Sequence, residues 1–223
     1  MKSNNLCFNT VKPILRNVIE QLMAMEEFDE FRLVGDTSLS LRYGHRMSVD
    51  IDLFTDAQYG LIDFKHLQQS LRANFPYCNG DCGDVVGFGT SYMIGESINN
   101  CVKLDLFYTD SFIKPVESYG KIRMASVEDI IAMKLDVISR GGRKKDFWDL
   151  HFLHKHYNIK QMLSLYEERY PYGATREECV KGLNDFTIAD GEPDPVCLQN
   201  KIWQLIKLDY VEWIEQLKDE VGF

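Results

Sequence analysis

The stretch Gly35 to Phe54, GDTSLSLRYGHRMSVDIDLF, constrains this chain more than any other. Its last part, Ser48 to Phe54, alternates polar and apolar residues, the pattern of a half-buried strand. Successive side chains of a strand face opposite ways, so Asp50 and Asp52 share one face and Ile51 and Leu53 the other. Two carboxylates side by side repel each other unless a cation lies between them. The usual cation is a divalent metal with oxygen ligands, and the usual substrate of such a metal is a phosphate. Upstream, Gly35 opens a turn into a short helical stretch that Gly44 stops. A helix N-terminus offers free N–H groups to an anion. The whole stretch predicts a nucleoside triphosphate and magnesium site.

The rest of the chain supplies a frame for that site. Apolar positions at Val11, Ile14, Leu15, Val18, Ile19, Leu22 and Met25 predict a one-sided helix over about 10–28. A short strand over 31–34 leads into the Gly35 turn, and a helix over about 62–73 follows the carboxylate strand. From 83 to 107 short apolar runs broken by glycine and asparagine predict an antiparallel ribbon, with strands at 84–88, 92–94 and 102–107. One more strand is expected at 121–124. After that the pattern is helical: 126–139, 146–156, about 160–169, about 175–183 and 198–218. Strands first and helices afterwards predict an α+β catalytic half over 1–124 and a helical half over 125–223.

Asp105 is the candidate third metal ligand, because a carboxylate inside the apolar run Val102 to Phe107 needs a partner. The alternative is an outward-facing aspartate on an edge strand. Lys134 lies among apolar neighbours in the helix that starts at Ser126; it either snorkels from the helix edge or holds a phosphate. Asp146 and Asp149 stand near the start of the next helix, where Asp146 is either an N-cap or a site residue. The basic run Arg143–Lys144–Lys145, with Arg140, is a solvated loop or a grip on RNA phosphates. His45 and Arg46 precede the carboxylate strand and could reach its site. His151, His154 and His156 fall on one short helical stretch without an obvious further zinc ligand.

A net charge of −9 excludes a global attraction to nucleic acid, so any RNA contact must be local. No stretch approaches the roughly 20 apolar residues of a membrane span, and the first residues lack a signal-peptide core. Six scattered cysteines point to reduced thiols in the cytoplasm. The aromatic stripe from Trp203 to Leu217 reads as core rather than as a partner groove.

Two blocks, in this order, resemble the AbiEii/AbiGii nucleotidyltransferase family of bacterial toxins, within the DNA polymerase β-like nucleotidyltransferase superfamily. The first is Gly35-Asp36-Thr37-Ser38-Leu39-Ser40-Leu41 with Gly44-His45-Arg46 and Ser48-Val49-Asp50-Ile51-Asp52-Leu53-Phe54. The second is Asp129-Ile130-Ile131-Ala132-Met133-Lys134-Leu135 with Ser139-Arg140-Gly141 and Lys145-Asp146-Phe147-Trp148-Asp149-Leu150. Between them lies Lys103-Leu104-Asp105-Leu106-Phe107. The resemblance covers roughly residues 10 to 155. It implies a nucleotidyltransferase fold, a mixed β-sheet flanked by helices and followed by a helical C-terminal domain. It also implies transfer of a nucleoside monophosphate from a nucleoside triphosphate to an acceptor such as tRNA or another RNA, and an antitoxin partner. By the same resemblance Asp50, Asp52 and Asp105 bind magnesium or manganese. Gly35, Thr37, Ser38 and Lys134 hold the triphosphate, and Asp146 belongs to the last motif. The family usually has a glycine or serine where this chain has Asp36. A carboxylate at a phosphate-binding turn favours the alternative of a catalytically inactive binding or interaction protein, unless Asp36 turns back to cap a helix beginning near Ser38.

Overall fold

The computed structural model describes residues 5–83 and 87–221. The chain divides into two compact units, one of Met1–Gly44 and Ser48–Ser126, the other of His45–Met47 and Val127–Phe223.

In the first unit a 3₁₀ turn at Phe8–Thr10 precedes helix α1 (Pro13–Leu22), started by a proline whose missing N–H costs nothing in a first turn. Its face Ile14, Leu15, Val18, Ile19 and Leu22 is buried, as the spacing predicts. The helix is shorter than the periodicity, because after Leu22 the chain tightens into a 3₁₀ turn at Glu26–Phe28 that buries Phe28. Strand β1 (Arg32–Leu33) leads straight into helix α2 (Gly35–Tyr43), which ends on Gly44 in the left-handed conformation. Strand β2 (Asp50–Thr55) alternates half-buried and buried residues along its whole length. Helix α3 (Phe64–Asn74) follows, capped by Asp63, whose carboxylate accepts from the His66 N–H at 2.9 Å.

Strands β3 (Tyr77–Asn79), β4 (Gly89–Ser97), β5 (Asn100–Tyr108), β6 (Glu117–Tyr119) and β7 (Ile122–Met124) complete a seven-stranded sheet of order β3-β4-β5-β2-β1-β7-β6. The sheet is mixed. β2 runs parallel to β5 and β1 parallel to β7, while the other neighbours are antiparallel. The strand expected over 84–88 falls mostly on residues 84–86, outside the described ones. One face of the sheet is packed: Leu33, Ile51, Leu53, Leu104 and Leu106 have no exposed surface and join the α1 stripe in one core.

The second unit is built on α4 (Val127–Ser139), α5 (Lys144–Leu153), α6 (Ile159–Arg169), α7 (Arg176–Leu183), the single turn α8 (Thr187–Asp190) and α9 (Trp203–Val221). Capping boxes at Asn158/Gln161 and Thr175/Glu178 set the starts of α6 and α7. Gly182 of α7 passes so close to α4 that a Cβ there would stand 2.5 Å from the Ile138 carbonyl oxygen. The closing helix buries Trp203, Ile206, Tyr210, Ile214 and Leu217 and leaves Leu205 exposed, so the aromatic stripe is core. Among the described residues no helix is long and apolar enough to cross a membrane.

Candidate functional site

The parallel pairing of β2 and β5 puts Asp52 opposite Asp105 and Asp50 opposite Lys103. Residues paired in this way point to the same side of the sheet, so Asp50, Asp52, Lys103 and Asp105 share a face. That face is the half-buried one. Ser91 of β4 pairs with Asp105 from the other side. The three carboxylates expected to act together therefore lie on adjacent strands of one sheet face, and Asp105 stands on a central strand rather than on an edge.

Gly35 closes this site from the end of β1. It holds φ +63°, and a Cβ on it would lie 2.9 Å from Asp52 Oδ2. Only glycine lets the backbone turn there without striking the carboxylate. Helix α2 begins at Gly35, not near Ser38, and its N-cap is Val34 in extended conformation. Asp36 thus lies within the first helical turn, buried, and is not the cap. A carboxylate in that turn is favoured by the helix dipole.

Thr37 spends its hydroxyl on the strand: it bonds Ser48 Oγ at 2.7 Å and donates to the Asp50 carbonyl oxygen. It fixes the start of β2 to α2. The Ser38 hydroxyl is buried without a hydrogen-bond partner among the described residues.

The donor set suits a hard divalent cation, being three carboxylates on neighbouring strands. The side-chain conformations hold a lysine there instead. Lys103 Nζ donates to Asp105 Oδ2 at 2.6 Å, and the Ser91 hydroxyl donates to Asp105 Oδ1. The Asp105 hydrogen bond, with the charges of Asp105, Asp50 and Asp52, raises the Lys103 ammonium above its ordinary value against the opposing effect of burial. Among the described residues no three metal-ligating side chains converge on one point. Lys103 and Ser91 are the site residues that sequence reasoning missed. The only signal was that Lys103 shares the Asp105 face.

The helical unit carries a separate buried cluster around Asp149, which has no exposed surface. Arg46 grips it with both forks of its guanidinium, Nε to Oδ1 and Nη2 to Oδ2, each at 2.6 Å. Lys134 Nζ lies 2.7 Å from Asp149 Oδ2 and 2.8 Å from Asp146 Oδ1. His45 Nε2 is 2.7 Å from Asp149 Oδ1, with its ring stacked on Phe152. Burial by itself would raise the Asp149 carboxyl, but the Arg46 and Lys134 charges outweigh it and hold the group far below the usual carboxylate range. Lys134, expected to hold the triphosphate, is therefore buried on two carboxylates rather than snorkelling. Asp146 is not an N-cap: Arg143 holds the N-cap position of α5 without a side-chain cap bond, and Asp146 sits inside the first turn bound to Lys134 and Arg143.

The basic run is largely spent within the unit. Lys144 is buried against Asp194 and the Trp203 ring, Arg143 pairs with Asp146 at 2.9 Å, and Arg140 pairs with Asp136. The histidines pack instead of converging on a metal. His151 bonds Asp209 at 2.6 Å, and His154 stacks on Trp213.

Comparison with known proteins adds the following. The family described as nucleotidyl transferase AbiEii toxin, type IV toxin–antitoxin system, matches residues 18–218. An uncharacterized protein of Aquifex aeolicus (strain VF5), aq_aa25, is 28% identical over 162 residues, 70% of this chain and 73% of that protein. Among solved structures, JHP933 from Helicobacter pylori superposes with a TM-score of 0.58 at 22% identity, over 94% of this chain and 90% of that one. The nucleotidyltransferase toxin MenT4 from Mycobacterium tuberculosis H37Rv superposes with a TM-score of 0.53 at 12% identity, over 90% of this chain and 83% of that one. At these identities the two structures speak for the fold.

Proposed function

This chain belongs to the AbiEii nucleotidyl transferase toxin family of type IV toxin–antitoxin systems, and from that membership we propose that it moves a nucleoside monophosphate from a nucleoside triphosphate onto an RNA acceptor. The observation that carries the reading is the register of β2 on β5, which gathers Asp50, Asp52 and Asp105 on one face beside the Gly35 turn. In the proposal these three carboxylates hold magnesium or manganese. The metal, when bound, neutralises phosphate charge and orients the attacking oxygen. The first N–H groups of α2 face the triphosphate, and Thr37 keeps the helix in register with the carboxylate strand. Asp105 exchanges Lys103 for the substrate complex and accepts the proton of the acceptor hydroxyl, whose oxygen bonds to the α-phosphorus as the α–β phosphoanhydride bond breaks and pyrophosphate leaves. Family membership also implies an antitoxin partner.

The test is incubation of the full chain with magnesium or manganese, total cellular RNA and each labelled nucleoside triphosphate in turn. One triphosphate is expected to label RNA, with loss of labelling in Asp52→Ala at unchanged fold. A second reading, a nucleotidyltransferase fold that binds without turnover, draws on the Lys103–Asp105 ion pair and on Asp36. Tight metal-dependent triphosphate binding with no labelled product for any triphosphate would select it.

A further inference from the structure

One strand step beyond the carboxylates, the same sheet face changes from acidic to aromatic. Phe54 follows Asp52 by two residues on β2, and Phe107 follows Asp105 by two on β5; the register pairs them directly. Their rings lie 5.9 Å apart, centroid to centroid, at 55°. Across the next strand the partner of Phe107 is Gly89, where a Cβ would stand 2.5 Å from the Phe107 ring and 2.2 Å from the Leu106 carbonyl oxygen. Glycine at 89 thus leaves the room beside β4 that the Phe107 ring occupies. Both phenylalanines are only partly buried, although each sits on a central strand of the sheet.

We propose that Phe54 and Phe107 form the stacking surface for a nucleobase, and that they position it relative to the catalytic carboxylates. This rests on the nucleotidyltransferase reading above. Two residues of strand advance about 6.6 Å, a separation that a ribose spans between a phosphate at the carboxylates and a base at the rings. An aromatic ring accepts any base through its π-face, so the pair supplies affinity and placement rather than sequence choice. The base belongs to the nucleoside triphosphate, because its phosphates are the group that the neighbouring tier binds.

The experiment uses the full chain with magnesium and titrates three probes: a nucleoside triphosphate, inorganic triphosphate, which has no base, and a short single-stranded RNA. In Phe107→Leu and Phe54→Leu, binding of the nucleoside triphosphate is expected to weaken by about ten-fold or more, the range of a lost base–aromatic stack. Inorganic triphosphate should bind as before, and Phe107→Tyr should restore the affinity. Equal weakening of nucleoside triphosphate and inorganic triphosphate would make the rings merely structural and overturn the proposal. So would unchanged binding of all three probes. Weakened RNA binding with intact nucleoside triphosphate binding would assign the surface to the acceptor's base and overturn the assignment made here. If the unmodified protein binds neither triphosphate, the nucleotidyltransferase reading itself fails. If it binds both and the leucine variants change nothing, only the stacking proposal falls.

Discussion

Asp149→Asn removes one charge at nearly constant volume from a fully buried carboxylate of the helical unit. The wild-type group satisfies both forks of Arg46, the Lys134 ammonium and the His45 ring. Lys134 keeps Asp146 at 2.8 Å, so what the variant chiefly removes is the negative charge that faces the Arg46 guanidinium, 3% exposed. Breaking a buried pair on one side costs about 3–5 kcal/mol. With a urea slope near 2 kcal/mol/M, that lowers the unfolding midpoint by about 2 M. The pH dependence carries its own sign. The folded carboxyl titrates below its unfolded value of about 3.9, so its stabilisation is complete above that pH and fades as pH falls toward the folded value. The gap between wild type and Asp149→Asn is therefore widest at neutral pH and narrows below about pH 4. Urea titrations at pH 7, 5 and 3 measure both effects. A loss below about 1 kcal/mol at pH 7 would refute the argument, as would a gap that grows on acidification.

Gly35→Ala forces a Cβ against Asp52 Oδ2 in a left-handed conformation, so a loss of about 1–2 kcal/mol in thermal or urea melts is expected, with nucleotide transfer abolished; unaltered melts would contradict the close approach. Lys103→Gln removes the ammonium paired with Asp105; because the lysine side chain is 46% exposed, the loss should stay under about 1 kcal/mol. Added magnesium should recover it, raising the melting temperature of the variant more than that of wild type, and an equal rise in both would show that Lys103 and the metal do not compete.

How much of this was legible depends on the range over which each interaction acts. The alternation of β2 and the α1 stripe are local periodicities, and the packed faces follow them residue by residue. The order of the two motif blocks was enough to indicate the nucleotidyltransferase fold. Strands β3 and β6 escaped because Tyr77-Cys78-Asn79 and Glu117-Ser118-Tyr119 lack the aliphatic alternation that marks the equally short β7, Ile122-Arg123-Met124. The start of α2 was misplaced because a glycine at positive φ reads as a turn even when it is the first residue of a helix. Lys103 on Asp105 was hidden by its simplicity, since alternation gives a shared face but not which side chains meet on it. Arg46 and Asp149 are 103 residues apart, and nothing local in either segment announces the other. From the sequence His45 and Arg46 could have reached the site of the carboxylate strand that they precede; they bond Asp149 in the helical unit.

That last point bears on how the protein can be taken apart. Residues 45–47 belong to the helical unit, so the chain passes between units at 44/45, at 47/48 and again at 126/127. A single cleavage after Ser126 cannot release a complete helical piece, because the bridge from Arg46 to Cys197 and the bond from the Met47 N–H to the Val196 carbonyl stay with the other fragment. The N-terminal fragment would in turn carry His45 and Arg46 stripped of Asp149. Chimeras between relatives meet the same constraint: a transplanted helical half must bring its own tripeptide with it, a graft of two segments rather than one.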